Sequence, residues 1–142
     1  MPVRTAQAEW KGDLPTGKGT MKSETGTVDG QYSFSSRFEE GTGTNPEELI
    51  AAAHSGCYSM ALSNILAKAG HTPDSVRTTA RVHLGQIEGA AAITKIELIC
   101  RATVPGLDQA GFLTHANEAK VGCPVSKALA ATQITLDAAL EG

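Results

Sequence analysis

Between Pro46 and Ala69 apolar residues fall on every side of a 3.6-residue period. Leu49, Ile50, Ala51, Ala52, Ala53, Cys57, Met60, Ala61, Leu62, Ile65, Leu66 and Ala69 leave no charged face, and Lys68 is the one lysine or arginine. A helix apolar nearly all round is buried on most sides. Its ends are marked. Asn45 is placed to cap the start, Pro46 occupies the first helical position, and Glu48 completes a capping-box spacing. Glu47 and Glu48 suit the positive end of the dipole, and Gly70 followed by Thr72-Pro73 stops the helix. A helix over 46–69 would be roughly 36 Å long, the length of a central element wrapped by sheet.

The flanking segments read in period two. Residues 3–11 predict a strand. From Thr20 to Val28 a polar strand leads to Asp29-Gly30, a two-residue hairpin signal. The return strand, Gln31 to Phe38, places Tyr32, Phe34, Ser36 and Phe38 on one face and Arg37 on the other. After the helix, Val76, Thr78, Ala80, Val82 and Leu84 alternate with Arg77, Thr79, Arg81 and His83. Glu88-Gly89 turns the chain into a partner strand over 91–104, in which Ile96, Leu98, Cys100, Ala102 and Val104 share a phase. Asp108 caps a second helix to about Val121, Pro124 opens a short third one to about Ala130, and Gln133 to Leu140 forms a last strand. The order βββ-α-ββ-αα-β predicts an α+β architecture, with antiparallel hairpins packed around a buried helix, in one domain spanning 1–142.

Composition narrows the function. Aromatics are scarce at 4%, so tight packing of small residues must replace bulk. A net charge of −3 with no basic stripe speaks against a nucleic-acid partner. The central helix is too polar to span a membrane, and Met1 to Gln7 has no signal-peptide core, so a cytoplasmic protein is expected. The three cysteines show neither a C-x-x-C pair nor a zinc-ligand spacing, which leaves redox chemistry, nucleophilic chemistry or core packing.

Cys57 and Cys123 stand out because small residues flank both, in Ser55-Gly56-Cys57 and Gly122-Cys123-Pro124. Cys123 falls at a helix N-terminus, where unpaired N–H groups favour thiolate. Cys57 lies deep in its helix and needs another source of positive charge. Arg37 is the physical candidate, with Glu47 to hold it, since a guanidinium can bridge a thiolate and a carboxylate. On physics alone the plainer readings win, Arg37 as a solvated strand residue and Glu47 as a helix N-terminal charge.

Gly43-Thr44-Asn45-Pro46-Glu47-Glu48-Leu49, His54-Ser55-Gly56-Cys57 and Gly122-Cys123-Pro124-Val125-Ser126 together resemble the osmotically inducible protein C (OsmC) family. The related organic hydroperoxide resistance (Ohr) proteins share this plan, and the resemblance runs from Ala8 to Asp137. It implies antiparallel sheets wrapped around a long buried helix in an intertwined homodimer. It also implies a thiol-dependent peroxidase without cofactor or metal, reducing organic hydroperoxides, and hydrogen peroxide more weakly, in oxidative and osmotic stress defence. Cys57 would be the peroxidatic cysteine, Cys123 the resolving one, Arg37 the residue that polarises the peroxide and Glu47 the carboxylate orienting it. Ohr proteins draw their arginine from an earlier loop, where this chain has Lys18-Gly19-Thr20. The segment Ser36-Arg37-Phe38-Glu39 matches the OsmC branch. The resulting disulfide would be reduced by an external dithiol of lipoyl or thioredoxin type. Cys100 matches no family motif and is left as core.

Glu47 and Cys57 are ten residues apart, about 15 Å along a straight helix. Serving one small site therefore requires a second subunit or an unwound helix start, and a composite site with Arg37 and Glu47 lent across a dimer is expected. Three rival readings stand beside this one. His54 and Cys57 at i and i+3 permit a Cys–His nucleophile pair. His54, Cys57 and Cys123 permit a metal site. A dimeric binding module for an apolar small molecule explains the small-residue core without chemistry.

Overall fold

The computed structural model describes residues 1–141. The chain divides into two compact units, one over Met1–Leu49 and one from Ile50 onward.

The first unit is an antiparallel meander of β1 (Ala6–Lys11), β2 (Lys18–Ser23) and β3 (Asp29–Tyr32), followed by a short helix, α1 (Phe34–Phe38). In register, Trp10 faces Gly19 and Gly19 faces Tyr32. The absent side chain at Gly19 leaves room for both rings, whose centroids are 5.3 Å apart. Two expectations are corrected here. Asp29-Gly30 is not a turn but part of β3, paired with Lys22 and Met21. The chain reverses earlier, where the Ser23 N–H donates to the Val28 carbonyl at 2.8 Å and the Val28 N–H to Ser23 Oγ at 3.0 Å. The expected strand over Gln31 to Phe38 also ends at Tyr32. Ser33 and Ser36 form a reciprocal capping box, with Ser33 N–H donating to Ser36 Oγ at 2.8 Å and Ser36 N–H to Ser33 Oγ at 3.2 Å. Hydroxyls that satisfy the backbone locally compete with a ladder. Phe34 and Phe38 then meet as an i,i+4 pair, 4.9 Å between centroids.

The long helix, α2, spans Pro46–Lys68. Asn45 Oδ1 accepts the Glu48 N–H at 2.8 Å, as the spacing requires, while the Glu48 carboxylate takes the Thr44 hydroxyl at 2.7 Å rather than reaching back to the cap. At the other end Gly70 is left-handed (φ +89), His71 N–H donates to the Leu66 carbonyl and Gly70 N–H to that of Ala67. This is a Schellman stop.

In the second unit β4 (Ser75–Ile87), β5 (Ala90–Thr103) and β6 (Gln133–Leu140) form a sheet with β5 in the centre. The β4–β5 hairpin turns at Glu88-Gly89, both with positive φ. The antiparallel pairing expected holds for β4 and β5, whereas β6 departs from it and runs parallel to β5. The crossover that a parallel pair requires is supplied by α3 (Gln109–Gly122) and α4 (Pro124–Ala128). Cross-strand rows Val82–Ile96–Ile134, Ala80–Leu98–Leu136 and Thr78–Cys100–Ala138 share the inner face. Over the core lie Tyr58, Leu62 and Leu66 of α2 and Phe112, Ala116 and Ala119 of α3, all fully buried. Ser59 Oγ donates to Thr78 Oγ1 at 2.7 Å, and the Tyr58 hydroxyl to the Ala116 carbonyl at 3.0 Å.

α2 is not buried on most sides within one chain. His54, Tyr58, Leu62 and Leu66 form the buried stripe, whereas Ala53, Gly56, Met60 and Asn64 line an uncovered one, with Met60 77% exposed. Apolar character all round thus hides two faces of different fate.

Candidate active site

Each unit carries one half of the expected chemistry. In the first, Arg37 closes the last turn of α1 and Glu47 opens α2. Arg37 Nη2 donates to Glu47 Oε1 at 2.7 Å, and its Nε lies 3.2 Å from both carboxylate oxygens. The carboxylate is nearly buried, with 9% of its side chain exposed against 35% for Arg37. Two anchors hold the geometry. Ser36 Oγ donates to the Thr44 carbonyl at 2.8 Å, and Asn45 Nδ2 to the Ser36 carbonyl at 3.0 Å, so the cap of α2 is tied to α1. Arg37 therefore reaches Glu47 from a helix, not from the strand expected of it. Its guanidinium carbon is 5.4 Å from the centre of the Phe38 ring, beside a 240 Å³ pocket lined by Trp10, Leu14, Tyr32, Phe34 and Phe38.

In the second unit Cys57, half-buried on α2, interacts with Cys123 and with the backbone N–H of Val125. All three cysteines are free thiols. Burial pushes the Cys57 thiol up most, the Val125 N–H draws it down, and neighbouring Cys123 pushes it up again; the net direction is up. Among the described residues of this unit no cation acts on the Cys57 thiol, and a reactive thiolate needs one. Cys57 opens onto a groove of 660 Å³ whose walls include Met60, Ala61, Ile65 and Pro124, with Glu118 at one side.

Cys123 is fully buried at the joint between α3 and α4. It closes α3 through its N–H, which donates to the Ala119 carbonyl at 3.0 Å, and caps α4 through Sγ, which accepts the Ser126 N–H at 3.3 Å. Pro124 at the first position of α4 has no N–H to satisfy. Ser126 Oγ lies 3.2 Å from Cys123 Sγ and 2.8 Å from His54 Nε2. His54 is fully buried, burial holds its imidazole below the ordinary histidine range, and Nδ1 has no protein hydrogen-bond partner among the described residues.

His54 thus turns toward Ser126, and the Cys57–His54 nucleophile pair that the i,i+3 spacing permits is not made. Among the described residues no three His, Cys, Asp or Glu side chains converge as a metal site. Cys100 packs in the core of β5, where burial raises its thiol. Sequence reasoning overlooked Ser126. The signal was present in the spacing Cys123-Pro124-Val125-Ser126, which puts a hydroxyl at the third position of a helix capped by sulfur.

A family model described as OsmC-like protein matches residues 39–138. Peroxiredoxin OsmC of Escherichia coli (strain K12) is 51% identical over 135 residues, 94% of each chain. An organic hydroperoxide resistance protein of Xanthomonas axonopodis pv. citri (strain 306) is 38% identical over 89 residues, 62% of this chain and 61% of the relative. Among solved structures, an organic hydroperoxide resistance protein from Elizabethkingia anophelis superposes with a TM-score of 0.74 at 26% identity, covering 99% of both chains. The chain belongs to the OsmC family.

Proposed function

We propose that this chain is a cysteine-based, thiol-dependent peroxidase that reduces organic hydroperoxides to alcohols through a Cys57 sulfenic acid and a Cys57–Cys123 disulfide. Peroxidase is the enzyme class of its OsmC kinship. One observation carries the finer reading: the free Cys57 thiol, open to an apolar groove, interacts with the buried free thiol of Cys123. The Cys57 thiolate attacks one peroxide oxygen, the O–O bond breaks, and the departing alkoxide takes a proton to become the alcohol. Cys123 sulfur then displaces hydroxide from the sulfenic acid, which leaves as water, and an external dithiol of lipoyl or thioredoxin type reopens the disulfide by exchange.

Arg37 supplies the missing cation, favouring thiolate at Cys57 and stabilising the developing alkoxide, with Glu47 fixing its fork. Glu47 and Cys57 are ten residues apart on the unbroken α2, about 15 Å along its axis. This supports a composite site in which one copy lends Arg37 and Glu47 to the cysteines of another. The uncovered Ala53–Gly56–Met60 stripe of α2 offers a surface for that pairing. The apolar walls at Cys57 and the aromatic pocket at Arg37 favour alkyl or aryl substituents over hydrogen peroxide, since apolar burial contributes about 25 cal/mol per Å². Residues 1–142 act in this reading as one cytoplasmic peroxidase domain in oxidative and osmotic stress defence, and no bound cofactor enters the chemistry.

Consumption of cumene hydroperoxide and of hydrogen peroxide with a dithiol, for wild type and Cys57→Ser, tests the reading. Rapid loss of the organic peroxide with wild type alone is expected. Negligible consumption by wild type with several dithiols would overturn it and leave an apolar binding module. A fully active monomer in solution would overturn the composite site.

A further inference from the structure

The peroxidase reading uses Cys57, Cys123, Arg37 and Glu47 and leaves a buried histidine without a task. We infer that Ser126 and His54 form a proton relay for Cys123, taking the thiol proton as the disulfide forms; the inference rests on the resolving role proposed for Cys123. Its basis is a line of two hydrogen bonds, Cys123 Sγ to Ser126 Oγ at 3.2 Å and Ser126 Oγ to His54 Nε2 at 2.8 Å. All three residues are buried, at 0%, 3% and 0% exposed for Cys123, Ser126 and His54.

The direction of the line follows from counting protons. Ser126 has one hydroxyl proton. Accepting the Cys123 S–H leaves it free to donate that proton to His54 Nε2, which must then be the unprotonated nitrogen. The proton of neutral His54 sits on Nδ1, where it meets no protein acceptor among the described residues. This tautomer is assigned from the network. A buried polar group without a protein partner calls for an explanation, and a role in moving the proton supplies one.

Disulfide formation needs such a relay. Cys123 is sealed from water, and a neutral thiol is a poor nucleophile. As the S–S bond forms, the Cys123 proton passes to Ser126 Oγ while the Ser126 proton passes to His54 Nε2. The S–O bond of the sulfenic acid breaks, hydroxide departs, and the relay returns one proton to it as water. The sum is thiol plus sulfenic acid giving disulfide plus water, with no other reactant. Burial keeps the imidazolium short-lived, because the charged ring is disfavoured there. The sulfur also keeps the Ser126 N–H at 3.3 Å, a donor in place for the negative charge that sulfur gains as its proton leaves. Ser126 touches the reacting sulfur, and His54 acts through it as a positioning residue. Other ionisable groups on the elements packed here include Cys57 and Tyr58 on α2, Cys100 on β5, His115, Glu118 and Lys120 on α3 and Lys127 on α4, of which Cys57 and Tyr58 interact with Cys123. Burial raises Tyr58 and Cys100, which leaves both neutral through the working pH range.

The test is a single turnover with one equivalent of cumene hydroperoxide, following sulfenic acid by dimedone capture and disulfide by mass, between pH 5 and 9. His54→Gln keeps a hydrogen bond to Ser126 and cannot hold the proton; Ser126→Ala breaks the line, and Ser126→Thr restores a hydroxyl. The expected result is sulfenic acid formed at the wild-type rate in every variant. Disulfide formation should be slower by about 100-fold in His54→Gln and Ser126→Ala, and partly rescued in Ser126→Thr. The slowed reaction should accelerate with pH as hydroxide from solvent takes the proton that the relay no longer holds. In wild type the resolving step should show a curved dependence on deuterium fraction, because two protons move together. Disulfide formation in His54→Gln within twofold of wild type, with the same pH profile, would overturn the relay and leave the peroxidase reading intact. A linear deuterium dependence in wild type would overturn it as well. Absence of any disulfide in wild type would overturn both.

Discussion

Glu47→Gln is a perturbation whose size can be worked from the contacts. The carboxylate meets the Arg37 guanidinium three times, at 2.7 and 3.2 Å through Oε1 and at 3.2 Å through Oε2. Glutamine keeps the oxygen that receives two of these and places an NH2 against the guanidinium at the third. A hydrogen bond to a charged group contributes about 1.5–3 kcal/mol. With 35% of the arginine side chain exposed, solvent screens part of that. About 1–2 kcal/mol of orientation is lost, or roughly tenfold in rate at 1.36 kcal/mol per decade. Glu47→Ala removes all three contacts and should cost about 100-fold, and Arg37→Lys keeps the charge without the fork and should fall between them. First-turnover peroxide consumption in a stopped-flow instrument reads the step directly. Peroxide reduction should slow while disulfide formation after it does not. First-turnover rates within twofold of wild type for both Glu47 variants, at unchanged thermal midpoints, would refute the role given to the pair.

The other expectations are simpler. Cys123→Ser should complete one turnover and stop at the sulfenic acid, whereas Cys100→Ser, altering a thiol buried in β5, should turn over like wild type; a stalled Cys100→Ser in the steady-state assay would contradict the assignment. Tyr58→Phe removes the hydroxyl that donates to the Ala116 carbonyl at 3.0 Å and should cost about 1 kcal/mol, or ~3 °C in the melting midpoint by calorimetry. His54 is held below its unfolded value of 6.5, so below pH 6.5 the unfolded chain takes a proton that the folded chain refuses. Stability should fall with pH from 6.5 down to the folded value by up to about 1.4 kcal/mol per unit. Urea unfolding of His54→Gln at pH 7 and pH 5 should show a shallower loss than wild type; equal losses would contradict it.

How far the sequence could be read depended on whether local signals and tertiary contacts agreed. The ends of α2 were legible because Asn45-Pro46 and Gly70 each satisfy orphan backbone groups by themselves. β4, β5 and their turn at Glu88-Gly89 were legible because one buried face enforces a strict period of two. Residues 33–38 were misread since Tyr32, Phe34, Ser36 and Phe38 alternate as a strand does. Two serine hydroxyls three residues apart tipped the balance to a helix turn. The parallel pairing of β6 could not be seen, because its own alternation is the same in either direction. Motif resemblance singled out Cys57, Cys123, Arg37 and Glu47, and the structure joins them in two pairs. Ser126 was hidden by its ordinariness. A serine in a short helix means little until Cys123 and His54 are found on either side of it.

The most direct test of the account is a peptide map of the wild-type protein after one equivalent of cumene hydroperoxide, alkylated without reduction. The account predicts one intramolecular disulfide, between Cys57 and Cys123, with Cys100 alkylated in full. A protein with all three thiols still alkylated, or a disulfide that includes Cys100, would contradict it.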